Sequence, residues 1–188
     1  MKRKRKSSNF ERAENHKKRR VSYFLTYLSI LFIMTELQGL ILREANPQDA
    51  WQIQKKLFPN KTLEQIENRI KLSGHKRRIV AEYNNEIIGY AVLAFRTVPH
   101  AHTALLHSLF VNEQFRNKGI GRAIIKYAEE LALQNGIEIL LLEASAENKN
   151  ATSLYKKLGF EEYGLLQKGY KKDGNYKGLV LMKKFLGK

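Results

Sequence analysis

Residues 105–123 read LLHSLFVNEQFRNKGIGRA: an apolar run, then Gly119 and Gly121 among Arg116, Lys118 and Arg122, then the start of a long amphipathic stretch. No other feature constrains the fold as much. Glycine lets a backbone turn through positive φ and come close to a neighbour. The first amides of a helix have no intrahelical acceptor and stand at the positive end of its dipole. A strand that turns into a helix through such a loop is an anion site. It also commits this part of the chain to a strand-helix-strand unit, parallel and right-handed, in a layered α/β arrangement.

The rest of the chain supplies elements to match. LILREA reads as a strand, PQDAWQIQKKLF as a helix opened by Pro47 and Asp49, and TLEQIENRIKL as a second helix capped by Thr62. In RRIVAEYNNEIIGYAVLAF, two β-branched runs flank Asn84 and Asn85, which predicts a hairpin. A strand over 104–111 precedes the glycine loop. The helix after it buries Ile120, Ala123, Ile124, Tyr127, Ala128 and Leu131 on one stripe and stops at Gly136. IEILLLEA follows as a strand apolar enough to be covered on both faces. A short helix from about Asn150 turns Ala151, Leu154, Tyr155 and Leu158 inward and ends at Gly159. Two strands, about 160–170 and 177–186, turn near Asp173-Gly174. The predicted order is β-α-α-β-β-β-α-β-α-β-β, an α/β (α+β) fold with a mixed, mostly antiparallel sheet of six to seven strands and helices on both faces.

The first twenty residues carry ten Lys or Arg against Glu11 and Glu14, which accounts for half of the net charge of +16. Such a segment has too little apolar surface to offset the entropy of ordering, and 1–20 reads as a basic disordered tail. Residues 21–34, VSYFLTYLSILFIM, are uncharged but too few to span a bilayer as a helix, at about 1.5 Å per residue against about 30 Å of hydrocarbon. Three readings compete for this leader: a membrane-associating segment, a basic nuclear-import or nucleic-acid contact, and an extension upstream of a true start at Met34. Residues 35–188 form the single folded domain. The chain has no cysteine, which excludes disulfides, thiolate metal sites and a cysteine nucleophile.

What anion the glycine loop takes is narrowed by what it lacks. A Walker A loop needs Gly-Lys-Ser/Thr, and here Gly121 is followed by Arg122 and Ala123; a dinucleotide fingerprint needs a third glycine, and position 124 is Ile. On its own the pair is also compatible with tight-turn chemistry. One strand later comes NKNATSLYKKLGF, residues 148–160. Arg116-x-x-Gly119-x-Gly121 followed by Asn148-x-x-Ala151-x-x-Leu154-Tyr155-x-x-x-Gly159-Phe160 resembles the coenzyme A signature of the GNAT superfamily of N-acetyltransferases, over about Leu40 to Leu186.

That resemblance implies acetyl-CoA as co-substrate, lying in a splay between the strand before the loop and the strand after the helix. The backbone of Arg116, Asn117, Lys118, Gly119, Ile120, Gly121 and Arg122 would hold its pyrophosphate. Phe110 and Val111 would pair with the pantetheine arm as an added strand does, and the Val111 amide would face the thioester oxygen. Asn148 matches the family's asparagine near the cofactor, though an asparagine before a helix is also a cap. Tyr155 matches the tyrosine that protonates the departing thiolate, though spacing alone makes it a core residue. Arg116 and Lys118 also read as solvated loop charges.

Attack needs a neutral amine, hence a base. At the strand before the loop this chain has His107 and Ser108 where family members often carry acidic residues, and at the strand after the helix it has Glu143. Glu143, His107 and a water chain stay open as proton acceptors. His100 and His102 have no third ligand nearby and read as loop, so no metal is expected. The resemblance implies a cytoplasmic enzyme acting on a small-molecule or peptide amine and compatible with a homodimer. Nucleic acid is a disfavoured partner, and membrane contact is confined to residues 1–34. The alternative class is a non-catalytic acyl-CoA-binding or sensor module, whose basic leader contacts nucleic acid or membrane.

Overall fold

Asn84 and Asn85 hold φ of 49° and 62°, the pair of left-handed residues that a two-residue hairpin turn requires. They join β2 (Lys76–Tyr83) to β3 (Glu86–Phe95). Asp173 and Gly174, at 51° and 79°, do the same between β6 (Glu161–Lys172) and β7 (Asn175–Phe185). The computed structural model describes residues 39–57, 60–71 and 74–187. The basic tail and the apolar segment read over 1–34 lie outside the described residues.

Around these hairpins the remaining elements are β1 (Ile41–Glu44), α1 (Ala50–Leu57), α2 (Leu63–Lys71), β4 (Thr103–Val111), α3 (Ile120–Gln134), β5 (Ile139–Ser145) and α4 (Lys149–Lys157). A single 3-10 turn at Pro47–Asp49 leads into α1, where the sequence reading has one continuous helix. Thr62 caps α2 in a reciprocal pair: its hydroxyl accepts from the Gln65 amide, and the Gln65 side chain accepts from the Thr62 amide. The strands form one seven-stranded sheet in the order β1-β2-β3-β4-β5-β7-β6. Every pairing is antiparallel except β4 with β5, the pair that flanks the glycine loop and α3.

Strand alternation divides the core. Ile79, Ala81, Ile88 and Leu93 turn to one face, where Ile120, Ala123, Ile124, Ala128 and Leu131 of α3 and Tyr155 of α4 cover them. Val80, Ile87, Tyr90 and Val92 turn to the other, under Ala50 and Ile53 of α1 and Ile66 of α2. Each such aliphatic side chain contributes about 1.5–3 kcal/mol when fully buried. The α3 stripe sits so close that a Cβ on Gly89 would stand 2.8 Å from Ile124 Cδ1, and a bulge in β3 beside Ala81 and Glu82 accommodates it. Coverage of β5 departs from expectation: Leu140, Leu142 and Ala144 are buried, but Glu143 on the opposite face is exposed, because α1 and α2 lie over β2 and β3 only. Among the described residues no helix is long and apolar enough to cross a membrane.

Candidate active site

The parallel ladder between β4 and β5 runs from Thr103 opposite Ile139 to Leu106 opposite Leu142 and stops. Two causes separate the strands beyond that point. Ser108 takes φ of 56°, and the β3–β4 register jumps from Val92 opposite His107 to Tyr90 opposite Phe110, a bulge that redirects the end of β4. Meanwhile β5 continues with β7, pairing Glu143 with Leu181, Ala144 with Val180 and Ser145 with Leu179. A V-shaped cleft opens between them. Amide directions alternate along a strand, so the bond from the Asn112 amide to the Ile88 carbonyl (2.8 Å) turns the Val111 amide away from β3, toward the cleft.

The loop that follows is built on itself. Asn112 caps a 3-10 turn over Glu113–Phe115, and Arg116 folds back, its Nε donating to the Val111 carbonyl (3.1 Å) and a terminal nitrogen to Glu113 (2.9 Å). Arg116 is therefore a brace of the loop, a role that composition could not reveal. The Lys118 ammonium lies 5.4 Å over the Phe115 ring, which meets Tyr83 edge-on. Asn117 and Gly119 both take positive φ, 62° and 79°. Among the described residues the amides from Asn117 to Arg122 have no backbone acceptor; the first is the Ala123 amide, bonded to Gly119 O. Amides gathered by left-handed residues at the start of a 15-residue helix are the arrangement that an anion site requires. Arg122 is exposed beside it. A Cβ on Gly121 would lie between Leu154 Cδ2 and Val111 Cγ2, at 3.7 and 3.9 Å, so the loop, the end of β4 and α4 converge on this glycine.

Asn148 is the cap of α4: its Oδ1 accepts from the Ala151 amide at 3.0 Å. Tyr155 lies on the helix's inner face, edge-on to Phe160, and burial pushes its phenol up. Thr152, not expected to turn inward, is also buried, because its hydroxyl is satisfied by the Asn148 and Lys149 carbonyls. His107 is half-buried, its Nδ1 2.9 Å from Ser108 Oγ. Burial, and then the charges of Lys76 and Arg78, hold its imidazole below the usual range. Two contacts escaped sequence reading because they are long-range. The Tyr170 hydroxyl donates to Ser145 Oγ (2.9 Å), and Lys177 pairs with Glu147 (2.6 Å), which fastens the β6–β7 hairpin to the cleft end of β5. His100 and His102 are exposed, and no group of three metal-ligating side chains occurs among the described residues.

With this geometry in hand, comparison with known proteins gives one consistent result. Residues 42–160 match the family model of the Acetyltransferase (GNAT) family. An uncharacterized N-acetyltransferase of Bacillus subtilis is 36% identical over 97 residues, 50% of this chain and 65% of the relative. One of Methanocaldococcus jannaschii is 37% identical over 86 residues, 44% of this chain and 38% of the relative. The chain thus spans less than two thirds of the length of either. Among solved structures, the ribosomal-protein-alanine N-acetyltransferase from Brucella melitensis superposes with a TM-score of 0.72 at 25% identity, over 78% of this chain and all of that one.

Proposed function

The chain belongs to the Acetyltransferase (GNAT) family, and on that premise we propose that it transfers an acetyl group from acetyl-CoA to a primary amine by direct attack within a ternary complex. The observation that carries this reading is the cleft that opens beyond Leu106 and Leu142 with the amides of Asn117 to Arg122 at its mouth. Those residues fit the group. A pyrophosphate needs several converging donors with cations near by, and the loop offers unengaged amides with Lys118 and Arg122 beside them.

In this reading the backbone of Phe110 and Val111 holds the pantetheine arm, and the Val111 amide donates to the thioester oxygen, where negative charge grows during attack. His107 takes the proton of the incoming ammonium, directly or through one water. Its lowered basicity keeps it neutral, hence able to accept, near pH 7. Glu143 is the second candidate, and its exposure favours His107. As the nitrogen–carbon bond forms and the carbon–sulfur bond breaks, Tyr155 delivers its proton to the departing sulfur. The phenol, which burial holds above its ordinary value, carries its proton until the thiolate departs. Asn148 orders the start of α4 and so positions Tyr155 about two turns along. Thiol release from acetyl-CoA, followed with and without a pool of amines, tests the proposal. Release that depends on amine supports transfer, whereas binding of acetyl-CoA with no release under any amine supports the sensor alternative.

A further inference from the structure

Strands β6 and β7 run on past the end of β5. Ser145, the last residue of β5, pairs with Leu179, and the Ala146 amide donates to the Gly178 carbonyl at 3.0 Å, so the residues beyond that point form a two-stranded arm at the end of the sheet where the cleft opens. Tyr170 and Lys177, opposite each other in the arm, brace it to Ser145 and Glu147. Alternation puts their neighbours Lys171 and Tyr176, also opposite each other, on the other face. The bulge in β6 holds Lys168 at φ of 56° less one degree, that is 55°, a conformation uncommon outside glycine, and a Cβ on Gly169 would stand 2.8 Å from Leu179 Cγ. What the bulge displays is charge. The Lys168 and Lys171 ammonium groups lie 5.6 and 5.4 Å from the centre of the Tyr176 ring, and all three side chains, with Lys172, are exposed. Among the described residues no ion pair engages these three lysines. Glu147 is taken by Lys177 and Glu162 by Lys156 at 2.9 Å, which leaves the turn residue Asp173 as the carboxylate of the arm.

We propose that this arm is a docking surface for an acidic stretch of the acceptor, and that the acceptor is a peptide whose amino group enters the cleft with carboxylates about five residues behind it. The proposal rests on the acetyl-transfer reading and adds the class of acceptor. From Leu181, level with Glu143 on the cleft wall, to Tyr176 is five positions of β7, about 17 Å at about 3.3 Å each. A free amino acid is too short to span that distance, and about five residues of extended peptide cover it. Exposed lysines at the rim of a site steer and hold an oppositely charged chain. A single-stranded nucleic acid is less well matched. Its bases need bare aromatic faces to stack on, and the Tyr176 ring already lies under two ammonium groups.

The test uses the full chain and reads thiol release at fixed acetyl-CoA with octapeptides that share an uncharged first half and carry Glu, Gln or Lys throughout the second, together with the tetrapeptide of the shared half. At low ionic strength kcat/KM for the Glu peptide should exceed that for the Gln peptide by about tenfold, since several modest charge pairs act together, and the ratio should shrink as salt screens them. In the double variant Lys168→Asn, Lys171→Gln that ratio should fall toward one through a rise in KM for the Glu peptide, with tetrapeptide turnover and acetyl-CoA affinity unchanged. Asparagine is chosen because it accepts the left-handed backbone at 168. Equal use of the Glu and Gln peptides, a ratio unmoved in the double variant, or turnover of small amines but of no peptide would overturn the proposal. So would loss of acetyl-CoA affinity in the variant, which would assign the lysines to the cofactor, or tighter binding of an oligothymidylate than of the Glu peptide that the variant abolishes. Failure of the wild type to bind acetyl-CoA, or to release thiol with any amine, would overturn the underlying reading instead.

Discussion

The Nδ1 of His107 lies 2.9 Å from the hydroxyl oxygen of Ser108, a residue held at φ of 56° in the bulge that opens the cleft. With its proton on Nδ1, the imidazole donates to Ser108, and Nε2 is left as the nitrogen that can accept from a substrate. One backbone irregularity thus both helps to part β4 from β5 and tethers the candidate base.

The pH dependence of this base has a defined sign. Burial and the neighbouring cations lower the His107 pKa, so the ring stays neutral to more acid pH than a free imidazole. The acid limb of kcat/KM should therefore fall below about 6.5, the ordinary histidine value. His107→Gln should lower kcat by about 10² or more and remove that limb. An unchanged profile would transfer the role to Glu143 or to water. The same shift bears on stability. Between the lowered folded value and the ordinary one, the unfolded chain binds more protons than the folded one, so stability is lost as pH falls through that window. The denaturant midpoint of the wild type should drop more across it than that of His107→Gln.

Tyr155 separates catalysis from packing. Tyr155→Phe keeps the ring and its edge-on contact with Phe160, so stability should change by at most about 1 kcal/mol. Turnover should fall by about 10²-fold with acetyl-CoA affinity little altered. Tyr155→Ala should instead cost about 3–5 kcal/mol through the cavity it leaves. Equal turnover in wild type and Tyr155→Phe would confine the residue to the core.

The two loop glycines are present for different reasons and should respond differently. Gly119 takes φ of 79°, so Gly119→Ala should cost about 1–2 kcal/mol of backbone strain and disturb the amides it orients. Gly121 is helical, and a Cβ there meets only ordinary contacts with Leu154 and Val111. Gly121→Ala should leave stability unchanged or raise it by up to about 1 kcal/mol. Chemical denaturation of the pair reads the difference, and similar losses from both would show that position 119 needs glycine no more than position 121 does.

How much of this was legible beforehand follows from the range of each interaction. The Asn84-Asn85 and Asp173-Gly174 turns, the α3 stripe and the Thr62 cap rest on residues within one element, and the chain's pattern carries them. The turn of the glycine loop was legible too, because Gly119 acts through its own backbone. The end of the β4–β5 ladder was not, since it depends on where Leu106 meets Leu142 and on a positive φ at Ser108, a residue type with no signature for one. The exposure of Glu143 was hidden for a similar reason: an apolar strand predicts cover on both faces, and only the tertiary placement of α1 and α2 withholds it. Asn148 held two meanings in sequence. The structure supplies one of them, the bond to the Ala151 amide, without removing the other.

If the amides of Asn117 to Arg122 cradle a coenzyme A pyrophosphate, calorimetric titration of coenzyme A into wild type and Gly119→Glu will show it. Saturable binding to the wild type that is lost in Gly119→Glu, where strain and a like charge enter the cradle together, is the predicted result. Absence of binding to the wild type, or equal binding by a folded Gly119→Glu, would rule out a pyrophosphate cradle at these amides.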